Sequence, residues 1–517
     1  MIGLVKKILA ALIVVILVMA VMVMYPLDSP PLVGIEGSYA IRDVNVIDVR
    51  NGDIDNNMTI VIEDGLIIDV LPSGEYRAAK KFTEIPAQGK FVIPALWDMH
   101  THSLKVSPQI HHPLFISKGI TGVRDMSGCL DQPDSFWACP DDRQRWTQQA
   151  LAGTRVSPRY ILQSSYQTNG GNEVPPGFSE FFRLNSEAAA QELVRFYVGQ
   201  NVDFIKPYTE LSLEQYDNLV HFASLNKLDI AGHKPLSVSL AHALRSRQKS
   251  IEHGRLFLFE CYEGIEEFRR LDDPIAHYDA QFKRQLLQQQ NAHDCDQKMA
   301  AMANSQTWWV PTLTTLQMGA LARDPAFRED ARLAYIPYIV KSLIWYPDAD
   351  SAASNGLDQQ GNYVPADFFE QAKVQVNRAH QLGVKLLAGT DNIDTYVFSG
   401  SSLHDELEMM VDAGLSPLEA LQTATINPAI FAGLEQQFGS LEKGKQADIV
   451  LLNSNPLIDI NNVRDIDGLL FSGIYYNRRA LEKLDEFALG MAQSLRLNLR
   501  FLWDVLSSPL MRVQLAD

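Results

Sequence analysis

The sequence is poor in cysteine and in positive charge. Only four cysteines occur among 517 residues, and because none forms a C-x-x-C pair, a cysteine-ligated zinc site is not indicated. The 45 Lys and Arg residues are outnumbered by 62 Asp and Glu residues, which gives a formal net charge of −17. A nucleic-acid-binding protein needs a basic surface, so this balance excludes nucleic acid as a partner. No convincing G-x-S-x-G or Walker loop is present, so neither a serine-nucleophile hydrolase nor a P-loop enzyme is predicted.

One long apolar run lies at the N-terminus. Lys6 and Lys7 precede residues 8–25, which carry no charge and as a helix would be about 27 Å long, close to one hydrocarbon core. The position of these basic residues predicts a cytosolic N-terminus, with the rest of the chain on the periplasmic or extracellular side. We therefore predict a single-pass transmembrane signal-anchor over residues 1–27; a cleaved signal peptide is the alternative.

The four cysteines agree with export. Cys129 and Cys139 flank a short loop, and in an oxidising compartment we predict a disulfide between them, worth about 2–3 kcal/mol. A pairing of Cys261 with Cys295 has weaker support. Four unpaired cysteines are the alternative.

Two β-rich segments flank the centre of the chain. Residues 39–49 are rich in strand formers, and residues 59–68 have the pattern of a hairpin. A similar segment, residues 439–452, lies near the C-terminus. We predict that the two flanks meet in one composite small β-sandwich domain, built from residues 28–92 and 435–477.

Between the flanks, apolar strands alternate with helical patterns. Ser212 and Gln215 form a capping box, and Ser416 and Glu419 begin another helix. The alternation predicts an α/β fold, a (β/α)8 TIM-like barrel over residues 93–434, whose functional groups lie at the C-terminal ends of its strands. The eight predicted strands are 91–103, 119–125, 158–163, 202–206, 228–233, 250–253, 308–312 and 384–391.

Two segments fall outside this pattern. The gap between the seventh and eighth strands is about 70 residues long, which fits a lid or a substrate-shaping insertion, with extra helical decoration as the alternative. Residues 478–517 are predicted to form a C-terminal helical extension that packs on the barrel or a partner protomer, or lies on the membrane surface. Its apolar stripe consists of Leu495, Leu499, Leu502 and Leu506.

Ligand-type side chains stand at the ends of the predicted strands. Because alternate residues of a strand face the same way, His100 and His102 project together as half of a transition-metal site. Two ordinary strand histidines are the alternative. Four further strands end in Lys206, His233, His253 and Asp391.

Placed around one barrel mouth, these residues predict a binuclear metal centre. Divalent cations lower the pKa of a water from about 16 toward about 7 and polarise a substrate carbonyl, so no serine or cysteine nucleophile is needed. One ion is assigned to His100, His102 and Asp391, and the second to His233 and His253.

Lys206 and Asp391 receive distinct chemical roles. An ammonium beside two cations would be repelled, whereas the carbamate that Lys206 forms with CO2 is anionic and bridges both ions. The alternative is a lysine paired with a carboxylate such as Asp203. Asp391 is predicted to accept a proton from water and to pass it to the leaving amine.

This set of motifs resembles the amidohydrolase superfamily, most closely its imidazolonepropionase-like and dipeptidase-like members with a carboxylated lysine. The likeness covers nearly everything from residue 39 to about residue 484. It implies a distorted (β/α)8 barrel with a composite β-sandwich, a metal-dependent hydrolase, and zinc as the metal. The motifs that carry it are Trp97-Asp-Met-His-Thr-His102, Phe204-Ile-Lys206, Ala231-Gly-His233, Ile251-Glu-His253 and Ala388-Gly-Thr-Asp391.

One stretch departs from the family pattern. Pro207-Tyr208-Thr-Glu-Leu-Ser212 follows the lysine where peptidase relatives usually carry a Gly-rich loop. Tyr208 lies two residues past Lys206, so we predict that it faces the site and hydrogen-bonds a substrate carbonyl or carboxylate, with packing as the alternative. Other polar candidates, for which structural roles are favoured, are Arg124, Arg159, His404, His111 and His112.

The sequence thus predicts a membrane-anchored, exported, metal-dependent amidohydrolase. Its expected substrate is a small molecule, a dipeptide or an N-acyl amino acid. The sequence leaves the oligomeric state open, with a homo-oligomer as one option. A lactone, a cyclic amide or a phosphotriester is the alternative substrate, because the same activated water serves all of them. A non-catalytic anchored binding protein is the alternative from another class.

Overall fold

Strands from both flanks of the chain join in one nine-stranded sheet. The structure, a computed structural model, describes residues 2–171, 173–271 and 273–514. The flanks meet where strand β6 (Phe91–Pro94) pairs antiparallel with strand β14 (Ile449–Leu452), with Ile93 opposite Val450. This sheet covers its own apolar core. The limits of the predicted domains stay predictions. The strands are β1 (Ile35–Glu36), β2 (Tyr39–Ile47), β3 (Ile54–Glu63), β4 (Leu66–Pro72), β5 (Thr83–Pro86), β6 (Phe91–Pro94), β14 (Ile449–Leu452), β15 (Ile466–Phe471) and β16 (Ile474–Asn477).

The central region is the predicted α/β barrel. Its strands run parallel in two sheets, of three and of four strands. Isolated bridges join Thr168 to Pro207, Trp309 to Leu386 and Thr101 to Asn392, and they close the ring. The barrel strands are β7 (Leu96–Thr101), β8 (Ile120–Asp125), β9 (Arg159–Gln163), β10 (Phe204–Ile205), β11 (Asp229–Gly232), β12 (Ser250–Glu252) and β13 (Trp308–Val310).

Two strand predictions differ from the structure. The single strand predicted over 91–103 is divided at Ala95, because β6 belongs to the nine-stranded sheet and β7 to the barrel. The eighth predicted strand, 384–391, forms one isolated bridge between Leu386 and Trp309 instead of a regular strand, and it is held by single bonds such as Leu387 N–H to Trp309 O at 3.0 Å. Both differences arise where the chain changes its pairing partner.

Helices cover the barrel strands and follow the predicted signals. Ser212 and Ser416 are the N-caps of complete capping boxes with Gln215 and Glu419. The helices up to β13 are α1 (Ile2–Met24), α2 (His111–Ser117), α3 (Pro140–Leu151), α4 (Glu187–Gly199), α5 (Leu213–Leu225), α6 (Leu240–Arg245), α7 (Leu256–Glu260), α8 (Ile265–Phe268), α9 (Ala280–Gln288) and α10 (Ala292–Ala303). Those after β13 are α11 (Leu313–Leu321), α12 (Pro325–Arg328), α13 (Tyr338–Val340), α14 (Tyr346–Asn355), α15 (Val364–Gln381), α16 (Ser401–Ala413), α17 (Pro417–Thr423), α18 (Ile426–Ala432), α19 (Arg478–Gln493), α20 (Leu495–Ser507) and α21 (Pro509–Gln514).

The insertion between β13 and the last barrel segment is helical and lies over the site. It contains α11 to α15, with one π-helical turn at Lys341–Trp345. Trp345 is buried and stacks on Tyr396, which follows Asp391 in the chain. The insertion is therefore attached to the segment that carries a predicted ligand.

The C-terminal extension is helical, but its packed face is not the predicted one. Leu497 and Phe501 are buried, whereas Leu495 and Leu506 of the predicted stripe are 63% and 61% exposed. Phe501 contacts Phe136 edge to face with ring centroids 5.3 Å apart, so α20 packs beside the barrel. The last three residues, 515–517, lie outside the described residues.

The N-terminal apolar run forms α1, which contacts α20. Arg500 Nη1 donates to Val23 O at 3.1 Å. Among the residues that the structure describes, no helix has the length and apolar character that a membrane span requires. The predicted transmembrane anchor over residues 1–27 is thus not supported by the structure.

The predicted disulfide and the second pairing considered from the sequence are both present. Cys129 is bonded to Cys139, and Cys261 is bonded to Cys295. The first one closes the loop that carries Trp137, and the second ties α7 to α10.

Candidate metal centre and substrate cavity

The structure brings the six predicted ligands to one end of the barrel. Each lies at or just beyond the C-terminal end of its strand, where parallel strands present functional groups. His100 is fully buried, and the other five line a single cavity of about 450 Å³. Those five are His102, Lys206, His233, His253 and Asp391.

Asp391 lies between the two histidines of the first strand. Its Oδ1 is 2.9 Å from His102 Nε2 and 3.3 Å from His100 Nε2. Burial acts to raise the pKa of Asp391, but the adjacent His100 and His102 hold it well below the usual carboxyl range. Asp391 is therefore an anion surrounded by imidazole nitrogens.

His233 and His253 form a second group. Their Nε2 atoms face each other at 2.8 Å, and their Nδ1 atoms bond to the hydroxyls of Thr209 and Thr312, both at 2.9 Å. Burial holds the pKa of each imidazole well below its usual value, so both rings are neutral. Neutral imidazoles whose second nitrogen is fixed by a hydrogen bond are the usual protein ligands of divalent metals.

Lys206 is buried among these groups. Lys206 is 1% exposed. Burial lowers the pKa of its ammonium to about 8, although the nearby Asp391 acts to raise that pKa. The alternative partner considered from the sequence, Asp203, instead accepts a hydrogen bond from the Gln163 backbone at 2.8 Å. A lysine with a lowered pKa carries more of the neutral amine that reacts with CO2.

Buried carboxylates hold the predicted ligands in place. Glu252 Oε2 is 2.9 Å from His100 Nδ1, and Arg124 forms a buried ion pair with the same carboxylate at 2.8 Å. Asp98 accepts from the backbone of His100 and from the Thr390 hydroxyl, at 3.1 and 2.6 Å. The first and last barrel segments are thereby joined directly behind the site.

The close packing of the site depends on two glycines. A Cβ at Gly232 would lie 2.8 Å from Lys206 Cγ, and one at Gly389 would lie 2.8 Å from His100 Cβ. Two of the predicted ligands, His253 and Asp391, have positive φ angles of 75° and 62°. Left-handed backbone at non-glycine residues is costly and is typical of functional sites.

These residues fit a divalent metal. The Nε2 of His100 is buried and has no hydrogen-bond partner among the described residues, although Glu252 fixes the other nitrogen of the ring. The ligand atoms of His100, His253 and Asp391 all lie within 4.8 Å of one another. A buried, unpaired imidazole nitrogen beside a carboxylate is the arrangement expected of a metal ligand.

Three cavity residues were not found from the sequence. Arg255 lines the cavity with its Nη2 3.4 Å from His233 Nδ1, and Asp394 lines it three residues after Asp391. Burial and the nearby Asp391 raise the pKa of Asp394. Trp137 also lines the cavity, and its Nε1 is buried without a partner among the described residues. Of these three, only Arg255 could have been proposed from the sequence, because it lies two residues beyond the predicted ligand His253.

The structure also places the other polar residues singled out from the sequence. Tyr208 lines the cavity, and its ring centroid is 4.1 Å from that of His233, so it faces the site as predicted. Arg159 forms an ion pair with Asp448 at 2.7 Å, and like Arg124 it is structural. His404 contacts Lys118 O at 3.0 Å, and His112 contacts the Tyr160 hydroxyl at 2.8 Å.

The Thr209 hydroxyl is expected to strengthen metal binding by His233, because it fixes the orientation of that ring. Thr209→Val keeps the side-chain shape but removes the partner of His233 Nδ1, so we expect the dissociation constant for zinc to rise roughly 10- to 100-fold. Competition with a chromophoric chelator measures this constant. Thr209→Ser keeps the hydroxyl and is the matched control. Equal affinity in Thr209→Val and Thr209→Ser would show that this hydrogen bond does not orient a ligand.

Comparisons with known proteins agree with this picture. Residues 340–475 match the model of the Amidohydrolase family, which confirms the resemblance predicted from the motifs. Among solved structures, a bottromycin amidohydrolase superimposes with a TM-score of 0.67 at 20% identity, over 89% of this chain and 92% of that one. A Xaa-Pro dipeptidase with bound methionine superimposes with a TM-score of 0.57 at 20% identity, over 85% and 100%. At these identities the likeness establishes the fold.

Sequence relatives match over short stretches. An imidazolonepropionase of Symbiobacterium thermophilum is 56% identical over 41 residues, which are 8% of this chain and 10% of that protein. The first curated relatives are matched over 10 to 34% of their own length.

Proposed function

The chain carries an amidohydrolase-family segment on an amidohydrolase fold, and we propose that it is a metal-dependent hydrolase of amide bonds. The observation that carries the proposal is the cluster of His100, His102, His233, His253 and Asp391, with Lys206 buried among them, at one barrel end. These residues would hold divalent cations, and the family likeness suggests two zinc ions. The cations would supply an activated water and would polarise the substrate carbonyl.

Asp391 is the proton carrier in this proposal. It is an anion that lines the cavity, so it can accept a proton from water as the hydroxyl adds to the carbonyl carbon. It then returns that proton to the nitrogen as the carbon–nitrogen bond breaks. The products are one carboxylic acid and one amine.

In this proposal Lys206, as a carbamate, would be one of the residues that hold the cations. The neutral amine adds to CO2 and loses one proton, which yields an anionic carbamate. Burial favours the neutral amine, as the lowered pKa of about 8 indicates. The anion offsets the charge of two cations in a site where a lysine ammonium would oppose them.

Arg255 and Tyr208 support a substrate with a carboxylate. Arg255 is a cationic side chain on the wall of the cavity beside His233, and a guanidinium binds a carboxylate with two parallel hydrogen bonds. Burial raises the pKa of Tyr208, so its hydroxyl stays protonated and can donate. A dipeptide or an N-acyl amino acid presents such a carboxylate next to its amide bond.

The two disulfides support export to an oxidising compartment. We propose a periplasmic or extracellular location for the barrel on that ground. Membrane attachment through residues 1–27 stays a prediction of the sequence, and a homo-oligomer stays an option that the sequence leaves open.

The first experiment is metal analysis of the purified full-length protein, followed by a screen of dipeptides and N-acyl amino acids. We expect about two equivalents of zinc and hydrolysis of at least one substrate. Two equivalents without amide hydrolysis would direct the search to lactones, cyclic amides and phosphotriesters. Protein that cannot be loaded with metal would contradict the proposal and favour a binding protein.

Arg255→Gln tests the role assigned to the carboxylate anchor. Hydrogen bonds to charged groups contribute about 1.5–3 kcal/mol, so we expect KM for a free dipeptide to rise roughly 10- to 150-fold. The same dipeptide with a C-terminal amide lacks the carboxylate and should be hydrolysed with similar KM by both proteins. A similar rise in KM for both substrates would remove Arg255 as the anchor, and metal content is measured in parallel.

A further inference from the structure

A second cavity of about 160 Å³ lies beside the metal-site cavity. Its walls are mostly apolar, and its lining includes Leu104, Ile110, Phe136, Val340, Ile344 and Phe501. We call it the side pocket. Three parts of the chain supply these residues: the segment from β7 to α3, the insertion around Val340, and α20.

The side pocket adjoins the metal-site cavity. Phe136, Ile344, Ile393 and Asp394 line both, so a ligand group can extend from one into the other. An apolar cavity of about 150 Å³ in another protein is large enough to bind benzene. The side pocket therefore has room for a phenyl ring or a branched aliphatic side chain.

A carboxylate stands at the junction of the two cavities. Asp394 lines both of them, and its Oδ1 accepts a hydrogen bond from Thr395 N at 2.8 Å. Burial raises the pKa of Asp394 to about 7, and a cationic group bound beside it would favour its anionic form, so the junction offers a contact for a cation next to a hydrophobic contact. An α-amino acid residue with a free ammonium and an apolar side chain has both complementary groups on one carbon.

The proposed carboxylate anchor lies on the opposite side of the barrel. Arg255 follows β12, the sixth barrel strand, whereas Phe136 follows β8, the second. Strands four apart in an eight-stranded ring face each other across its axis. The two ends of a substrate can thus lie on opposite sides of the metal site.

We propose that the side pocket binds the apolar side chain of a dipeptide's N-terminal residue, with Asp394 binding its α-ammonium group. The inference rests on the proposed function and narrows its substrate class. It selects a dipeptide with a free N-terminus and a large apolar first residue over an N-acyl amino acid.

The experiment compares kcat/KM of the metal-loaded full-length protein for three substrates. They are phenylalanyl-alanine, glycyl-alanine and N-(3-phenylpropanoyl)-alanine, which has the phenyl group but lacks the ammonium. Burial of one aromatic side chain and one charged hydrogen bond each correspond to roughly a tenfold effect or more. We expect phenylalanyl-alanine to exceed each of the other two by at least about tenfold.

Two variants separate the two contacts. Val340→Trp fills the side pocket and should bring the ratio of phenylalanyl-alanine to glycyl-alanine close to one. Asp394→Asn should bring the ratio of phenylalanyl-alanine to its desamino analogue close to one. Leu343→Trp is the matched control, because Leu343 is 61% exposed on the same helical turn, and it should leave both ratios unchanged.

The outcomes distinguish this inference from the proposed function. If the wild type hydrolyses all three substrates at similar kcat/KM, the side-pocket assignment is overturned while amide hydrolysis stands. If the desamino analogue is preferred, the ammonium contact is wrong and the substrate is an N-acyl amino acid. If metal-loaded protein hydrolyses none of the three, nor any other amide in the screen, both proposals fail.

Discussion

Asp391→Asn is expected to abolish turnover while the protein keeps at least one metal ion. Asparagine has the same shape as aspartate, so its amide can still occupy the space beside His102 and His100, which lie 2.9 and 3.3 Å from the carboxylate. An amide cannot carry the proton from water to the leaving nitrogen, however, and loss of a general acid–base group costs roughly 10²- to 10⁴-fold in kcat. Turnover of the best dipeptide and metal content are measured on the same sample.

The control for this variant is Asp229→Asn. Asp229 begins β11, pairs with Lys249 and is exposed, so it lies outside the site. We expect wild-type kcat and wild-type metal content for it. Near-normal turnover in Asp391→Asn would remove Asp391 as the proton carrier, and loss of all metal would make it primarily a ligand.

The meeting of the candidate ligands at one barrel end could be predicted, because their positions follow from local geometry. Apolar runs of four to six residues predict buried parallel strands, and a barrel places their C-terminal ends together. His100, His233 and His253 therefore needed no knowledge of the tertiary contacts. The capping boxes at Ser212 and Ser416 were predictable for the same reason, since each is defined within four residues.

The side pocket could not be predicted, because its walls come from distant segments. Phe136, Val340 and Phe501 meet only after the disulfide loop, the insertion and α20 have packed over the barrel. Their positions depend on loop paths that no local pattern encodes. The position of Asp394 could not be predicted either, because the chain just before it has positive φ angles at Asp391 and Ile393, which no sequence pattern indicated.

The wrong face of α20 has a similar cause. The leucines 495, 499, 502 and 506 have helical spacing, but Phe136 and its neighbours contact the face that carries Leu497 and Phe501. An amphipathic pattern predicts a packed face only when one apolar stripe dominates, and α20 is apolar on two sides. Trp503 remains 56% exposed beside Leu506.

Lys206→Ala is expected to reduce bound metal to one equivalent or less and to lower kcat/KM by roughly 100-fold or more. Loss of a group that merely supports a metal ligand already lowers metal affinity or activity about 10- to 100-fold, and loss of a ligand should cost at least as much. The truncation removes the proposed bridging anion and leaves a space in a buried site, where the residue is 1% exposed. Acetate or propionate can enter that space and supply a carboxylate. We therefore expect at least a tenfold recovery of kcat/KM with one of them.

Labelling with ¹³CO2 gives a readout of the carbamate that does not depend on activity. The wild type should have one slowly exchanging ¹³C carbamate signal, which Lys206→Ala lacks. Lys249→Ala is the control, because Lys249 pairs with Asp229 at the other end of the barrel strands and should leave that signal and the metal content unchanged. If Lys206→Ala retains two metal ions and full activity, the bridging carbamate is excluded, and the other five residues must hold the metal without it. If Lys206→Ala loses metal but the wild type has no ¹³C carbamate signal, Lys206 acts through its own amine rather than through an anion.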